Sequence, residues 1–453
     1  VSDITNMTPE EESELSKDFN LFSLMGFVFP SVFAFVFIAV YQMVDGYFIK
    51  KFVGELAIAA VDLYYPVISL FIAIGIMLGT GGNAVIVKKI GEGKVKEAGE
   101  TFSATFIFTV LLSVGLSVIC IAFDDPIMKM CGATAGNIEY LRPYYRVLSI
   151  FAISIILQSE LGILIIGEGK SVIAAIVIIV GGVLNCVLDY IFMSRFDMGI
   201  MGAAVATVIG YMSTIVYAVY YYMIGKKSVY TFKPVRIKLK EIGWICFNGS
   251  SDMVSNLAGG VTALMMNHLI YKYYGEIGVS ALTIILYFNF FMEAIFMGMT
   301  SAVEPIFSYH YGTGNTDMRK RIFKLSNIWI IVWSVVIFVS IFIFNENVVG
   351  VFFDKGTKIF DITLNGLMIS LFACVFLGFN TFFSGLFTAF SNGLISATLS
   401  FVRSLVILVL CLLILPKFFG GNGVWAAWPV AEVLSMIVCI VFILKYKDKY
   451  EYM

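Results

Sequence analysis

Twelve stretches of this chain are long and apolar enough to cross a lipid bilayer as α-helices, which takes about 20 mostly apolar residues each. They span residues 21–48, 57–87, 99–123, 138–166, 171–194, 199–224, 241–270, 277–310, 321–345, 359–390, 394–416 and 422–446. Val-, Ile- and Phe-rich runs can be buried strands in water, but these are too long and lack strict alternation. The short alternating segments of a membrane barrel are not seen either. Composition agrees: apolar residues make up 60% of the chain and charged ones 13%, against about 25% charged in soluble proteins. Mean hydropathy is +0.93. A net charge of −1 supplies no global basic field for nucleic acid. The seven cysteines are odd in number, lack C-x-x-C spacing and lie mostly inside apolar runs. They read as small hydrophobes rather than a disulfide framework or metal site. The fold class is therefore an all-α polytopic membrane protein.

The first apolar run is too long for a cleavable signal peptide and follows an acidic stretch. There, Thr8-Pro9-Glu10-Glu11 has the order of a helix start, with Thr as cap and Pro at the first position. A short interfacial helix and a disordered tail both fit. Lys and Arg number 19 at the termini and in the even-numbered loops, against 8 in the odd-numbered loops. The positive-inside rule then puts both termini in the cytoplasm.

The chain also repeats itself. FIKKFVGELAIAAV (48–61) precedes a helix ending in Ile90-Gly91-Glu92-Gly93, and LIYKYYGEIGVSAL (269–282) precedes one ending in Tyr311-Gly312-Thr313-Gly314. The pairs Gly54/Gly275, Gly91/Gly312 and Gly202/Gly423 all lie 221 residues apart. Two copies of six helices share one orientation, so the pseudo-twofold axis should run along the membrane normal, a transporter arrangement. The expected organisation is a cytoplasmic tail (1–20), an N-lobe of helices one to six (21–224), a cytoplasmic linker (225–240), a C-lobe of helices seven to twelve (241–446) and a C-terminal tail (447–453).

An Asp at the centre of a membrane helix costs about 2.5–3.5 kcal/mol on insertion scales, so intramembrane acids are functional candidates by default. Asp45 lies in the first helix; Asn185 and Asp189 lie in the fifth, spaced i,i+4 on one face; Thr207 lies in the sixth. Two carboxylates with an amide and a hydroxyl suit Na⁺, and carboxylates held away from water also suit a proton. Taken alone, Asn185 or Thr207 serves equally well as a helix-to-helix hydrogen-bond partner. The 221-residue offset maps these four onto Met266, Val406, Leu410 and Trp428. An architectural need would have been repeated in both copies, whereas a coupling-ion site need exist only once.

The second half has its own polar set: Asp252 and Asn256 in helix seven, Glu293 and Glu304 in helix eight, Arg403 in helix eleven and Glu432 in helix twelve. For Arg403 the favoured reading is structural pairing with Glu432 or Asp252. Asp62 is expected near the outer interface or a cavity. Gly167-Glu168-Gly169-Lys170-Ser171 ends like a phosphate-binding loop, but Leu164 stands where that motif needs Gly, so it reads as a tight turn. His268 and His310 have no metal or triad spacing. Gly75 and Gly79 form a small-xxx-small step for close packing, and Pro30 is expected to kink helix one.

These segments also carry a family resemblance. VFPSVFAFVFIAVYQMVDGYFIKKFVG (28–54), LNCVLDYIF (184–192) and GIMGAAVAT (199–207) resemble the first, fifth and sixth helices of the multidrug and toxic compound extrusion (MATE) family. NGSSDMVSNLAGG (248–260), EPIFSYHYGTGN (304–315), LSFVRSLVILVL (399–410) and GVWAAWPVAE (423–432) are similar to its bacterial MepA-like subgroup. The resemblance implies two six-helix lobes around a V-shaped cleft, and a drug antiporter driven by Na⁺ or H⁺ with no other cofactor. It assigns the cation site to Asp45, Asn185, Asp189 and Thr207. Two departures bear on the C-lobe: Asn256 stands where a carboxylate is expected, and Glu293 where an apolar residue is usual.

The resulting expectation is a monomeric exporter of organic, cationic and aromatic compounds in the bacterial cytoplasmic membrane, not an enzyme. Its partners are small-molecule substrates and the lipid bilayer, with no nucleic acid. Asp252, Asn256, Glu293 and Arg403 are placed at the substrate cleft, where Phe, Tyr and Met would add cation–π and apolar contact. A flippase for lipid-linked saccharides would need a more basic cleft and extra helices. A membrane-embedded enzyme would need a metal cluster or a nucleophile–base pair.

Overall fold

The computed structural model describes residues 14–133, 138–224, 230, 232, 233, 235 and 237–453. The Thr8–Glu11 helix start and part of the 225–240 linker lie outside the described residues, and so does the Asp62 side chain. Among the described residues there is no strand. The helices are α1 (Leu21–Phe52), α2 (Glu55–Gly91), α3 (Val95–Ala122), a short α4 (Asp124–Met130), α5 (Ile138–Ile150), α6 (Ala152–Gly167), α7 (Ser171–Ser194) and α8 (Gly199–Ile224). They continue with α9 (Leu239–Gly312), α10 (Thr316–Gly350), α11 (Lys358–Ser370), α12 (Cys374–Ala389), α13 (Gly393–Phe401), α14 (Leu408–Phe419) and α15 (Gly421–Tyr450).

These elements make twelve membrane spans. Ten helical stretches are long and apolar enough by themselves, and α5 with α6 forms an eleventh, bent by 55°. The twelfth comes from α9. Its 74 residues would be about 110 Å long if straight, far more than a bilayer holds. At Gly275 the backbone leaves the helix (φ 66°, ψ −154°) and the chain doubles back. Gly278 then lies against Ile270, and both ends of α9 meet α2: Gly81 touches Ile245 and Gly249, and Gly91 touches Tyr309 and Gly312.

Several helices outrun the apolar segments because their last turns carry Lys, as in α1 (Lys50, Lys51) and α2 (Lys88, Lys89), where positive charge complements the helix dipole. The start of α1 is fixed by a reciprocal cap: Ser23 N donates to Asn20 Oδ1 at 2.9 Å, and Asn20 N donates to Ser23 Oγ at 2.8 Å. Pro30 lies inside α1, and the helix continues on both sides of it. Helix-breaking residues are tolerated in membrane helices because neighbouring groups absorb the lost hydrogen bond. All seven cysteines are free.

The repeat is visible in the backbone. Gly54 and Gly275, Gly93 and Gly314, and Gly199 and Gly420 all have positive φ, so each half turns at the same three places on a residue without a Cβ. Gly91 and its repeat mate Gly312 touch each other, as residues on a twofold axis must. The two lobes meet where α1 and α2 pack against the two arms of α9; Gly298, for example, is seated on the Ser31–Val32 backbone.

Candidate functional site

The N-lobe cluster is built by glycines that let three helices approach closely. A methyl on Gly181 of α7 would lie 3.0 Å from Gly210 O and 2.9 Å from Thr214 Oγ1 of α8, and one on Gly182 would meet the Phe37 and Tyr41 rings of α1 at 2.7 and 2.9 Å. Side chains one turn further on therefore converge. Asn185 Nδ2 faces Thr207 Oγ1 at 3.4 Å, and Thr207 Oγ1 donates to Ala203 O at 3.0 Å. The Asp45 and Asp189 carboxyls lie within electrostatic reach of each other. Asn185 is 4% exposed and Asp189 0%. Asp45 Oδ1 and both Asp189 oxygens are buried without a hydrogen-bond partner.

The structure thus brings Asp45, Asn185, Asp189 and Thr207 together inside one lobe. It adds residues the sequence did not single out. Tyr41, Gln158, Tyr211 and Thr214 line a cavity of about 10 Å³ beside Asn185, the size of a single water site. Tyr41 and Tyr211 meet at this cavity, and buried Tyr144 lies within electrostatic reach of the two Asp. Aromatic residues are too frequent in this chain to mark a site by type. Glu160 of α6 is another matter: it is fully buried and both its carboxyl oxygens lack a partner. The intramembrane-acid rule would have flagged it.

Replacing Gly181 with Val tests the packing argument. Forcing a branched side chain into this crossing should cost about 1–3 kcal/mol, read as a lower midpoint of thermal unfolding in detergent. An unchanged midpoint would mean that the α7–α8 contact does not set the cluster.

The C-lobe residues do not gather in one pocket. Arg403 pairs with Glu432 (Nη2–Oε1, 3.1 Å), not with Asp252, and Asn380 Nδ2 donates to Glu432 Oε2 at 2.6 Å. Asp252 lies instead at the seam between the lobes, near Thr80 of α2 and electrostatically close to Glu304; its Oδ2 is buried without a partner. Asn256, one turn further along α9, is half-buried. Glu304 sits against Gly385 of α12. Glu293 is half-buried, within electrostatic reach of Arg403 and Glu432 and of the exposed Tyr65 of α2.

Comparison with known proteins agrees with this architecture. The MatE family sequence model matches twice, at residues 30–191 and 253–413, the two copies inferred from the repeat. The chain is 25% identical over 439 residues to the multidrug export protein MepA of Staphylococcus aureus (strain MRSA252), covering 94% of each chain. It is 22% identical over 434 residues to MepA of Staphylococcus saprophyticus, again with 94% of each covered. Among solved structures it is similar to a multidrug resistance MATE family transporter of the MOP superfamily in an outward-facing conformation. That match has a TM-score of 0.90 and 22% identity, over 99% of this chain and 100% of the other. A MOP superfamily transporter from Pyrococcus furiosus matches with a TM-score of 0.89 and 21% identity, over the same shares. With two matched copies spanning most of its length, twelve membrane helices and a buried polar cluster in one lobe, this chain belongs to the MatE family and is a multi-pass membrane transporter, not an enzyme.

Proposed function

We propose that this transporter is an antiporter that exports small organic cations, aromatic ones above all, in exchange for a proton or Na⁺. The observation that carries this is the Asp45–Asp189 pair, buried in one lobe with three carboxyl oxygens unpartnered. Two negative charges so close, with three of their four oxygens buried and unpartnered, repel too strongly to stay both bare. One proton or one cation between them removes the conflict, and Asn185 and Thr207 supply further oxygen ligands. Loading and unloading then favour different lobe arrangements, which is the requirement for alternating access. The unit doing this is a monomer with an N-lobe of 21–224, a cytoplasmic linker of 225–240 and a C-lobe of 241–446, both tails lying in the cytoplasm.

The flippase reading fits less well. Its pyrophosphate cargo calls for free positive charge in the cleft, and the Arg403 guanidinium is committed to Glu432.

Everted membrane vesicles with separately imposed Na⁺ and pH gradients, and a fluorescent aromatic cation as cargo, test the proposal. Uptake should follow one gradient and stop when that gradient is collapsed. Uptake that persists with both gradients collapsed, or fails under both, overturns it.

A further inference from the structure

The C-lobe carries a charge cluster that the coupling mechanism does not use. Arg403 lies in a π-helical turn, Val402–Ile407, a distortion that often accompanies functional residues. Its Nε and Nη2 donate to Glu432 Oε1 at 3.2 and 3.1 Å, and Nε also reaches Oε2 at 3.3 Å. Asn380 clamps the same carboxylate, donating to Glu432 Oε2 and, at 2.9 Å, to Glu432 O. Its own Oδ1 is left buried without a partner. By the 221-residue offset, Arg403 and Glu432 stand where the N-lobe has Gly182 and Tyr211, which line the small cavity beside Asn185. Where the N-lobe leaves room for an exchangeable ion, the C-lobe has a cation built in. A guanidinium does not lose its proton in proteins, so this half of the pair is permanent.

Glu293 completes the cluster. It lies on α9 within electrostatic reach of Arg403 and Glu432 but forms no hydrogen bond or ion pair among the described residues. Two carboxylates and one guanidinium leave one negative charge over. The other lobe contributes Tyr65, 56% exposed and electrostatically close to Glu293, whose ring can stack on a cation.

We propose that Glu293, with Tyr65 opposite, anchors a substrate bearing a single positive charge, and that Arg403 sets this charge limit by cancelling Glu432. The inference rests on the organic-cation export proposed above and adds the charge class of the cargo and the residues that select it.

Equilibrium binding to the purified full-length protein, without any gradient, separates the two claims. The probes are ethidium, a planar monocation, and propidium, a related dication. The wild type should bind ethidium, and Glu293→Gln should weaken that binding about tenfold, the loss of one charge contact. Arg403→Gln leaves Glu432 unbalanced and should raise propidium affinity relative to ethidium about tenfold. Adding Glu432→Gln to that variant removes the extra charge and should bring the ratio back down. The double variant also keeps the test alive if the single one does not fold, because it leaves the cluster with the same net charge as the wild type and no bare Glu432; a high propidium ratio in the double variant contradicts the proposal. Ethidium binding unaffected by Glu293→Gln, or a dye ratio indifferent to Arg403→Gln, overturns it. A wild type that binds neither dye contradicts organic-cation export itself.

Discussion

Asp45→Asn and Asp189→Asn should each reduce gradient-driven efflux to the background of vesicles without the protein, while expression and folding stay intact. The two carboxyls share one buried site with Asn185 and Thr207, and three of their four oxygens lack a partner. An amide in either position removes the repulsion permanently. The pocket then no longer needs a proton or cation, so loading it no longer favours one lobe arrangement over another. Stability gives a second readout. If the pair were there for architecture, losing one carboxyl would destabilise the lobe; if it is there for coupling, neutralising a buried charge should leave stability within about 1 kcal/mol of wild type or raise it. Efflux at wild-type rates in either variant, or a large loss of thermal stability accompanying the loss of efflux, would sink the coupling role.

How much of this was legible before any coordinates follows from the physics of each feature. Membrane helices announce themselves because the bilayer demands long apolar runs, and the 221-residue offset survived at Gly54/Gly275 because those turns need positive φ. Asp45 and Asp189 stood out because charge is rare at bilayer depth. Tyr41, Tyr144 and Tyr211 did not, since a tyrosine in a chain with 23 of them says nothing until its neighbours are known. The partner of Arg403 was likewise undetermined: Asp252 and Glu432 were equally available in sequence, and only the packing of α13 to α15 against α9 decides between them. Asp252 lies near Thr80 at the seam between the lobes, where Gly81 and Gly249 draw α2 and α9 together one turn away.

That seam leads to a second large effect. A Cβ on Gly81 would lie 2.1 Å from Ile245 O, one on Gly249 would lie 1.9 Å from Met77 O, and one on Gly312 would lie 2.3 Å from Lys88 O. All three obstacles are backbone carbonyls, which cannot swing aside as a side chain can. At the same end of the molecule Lys89 Nζ meets Glu241 Oε1 at 2.5 Å and Thr101 Oγ1 at 2.7 Å, and the Lys88 ammonium sits 5.0 Å from the Tyr311 ring centre. These contacts tie α2 and α3 of one lobe to α9 of the other, and they hold this end shut. Gly81→Val and Gly249→Val should therefore destabilise the shut state without touching the interior of either lobe. In a rocking transporter a shift in that equilibrium of about 3 kcal/mol is more than a hundredfold in population, so turnover should fall to a few per cent even though each lobe still folds. Spin labels placed across the seam should show the distance distribution moving to longer values, and Lys89→Met should move it the same way by a smaller step. Variants that transport normally, or that lose transport while the seam distances stay as in the wild type, would mean that the glycine contacts are packing detail and the gate lies elsewhere.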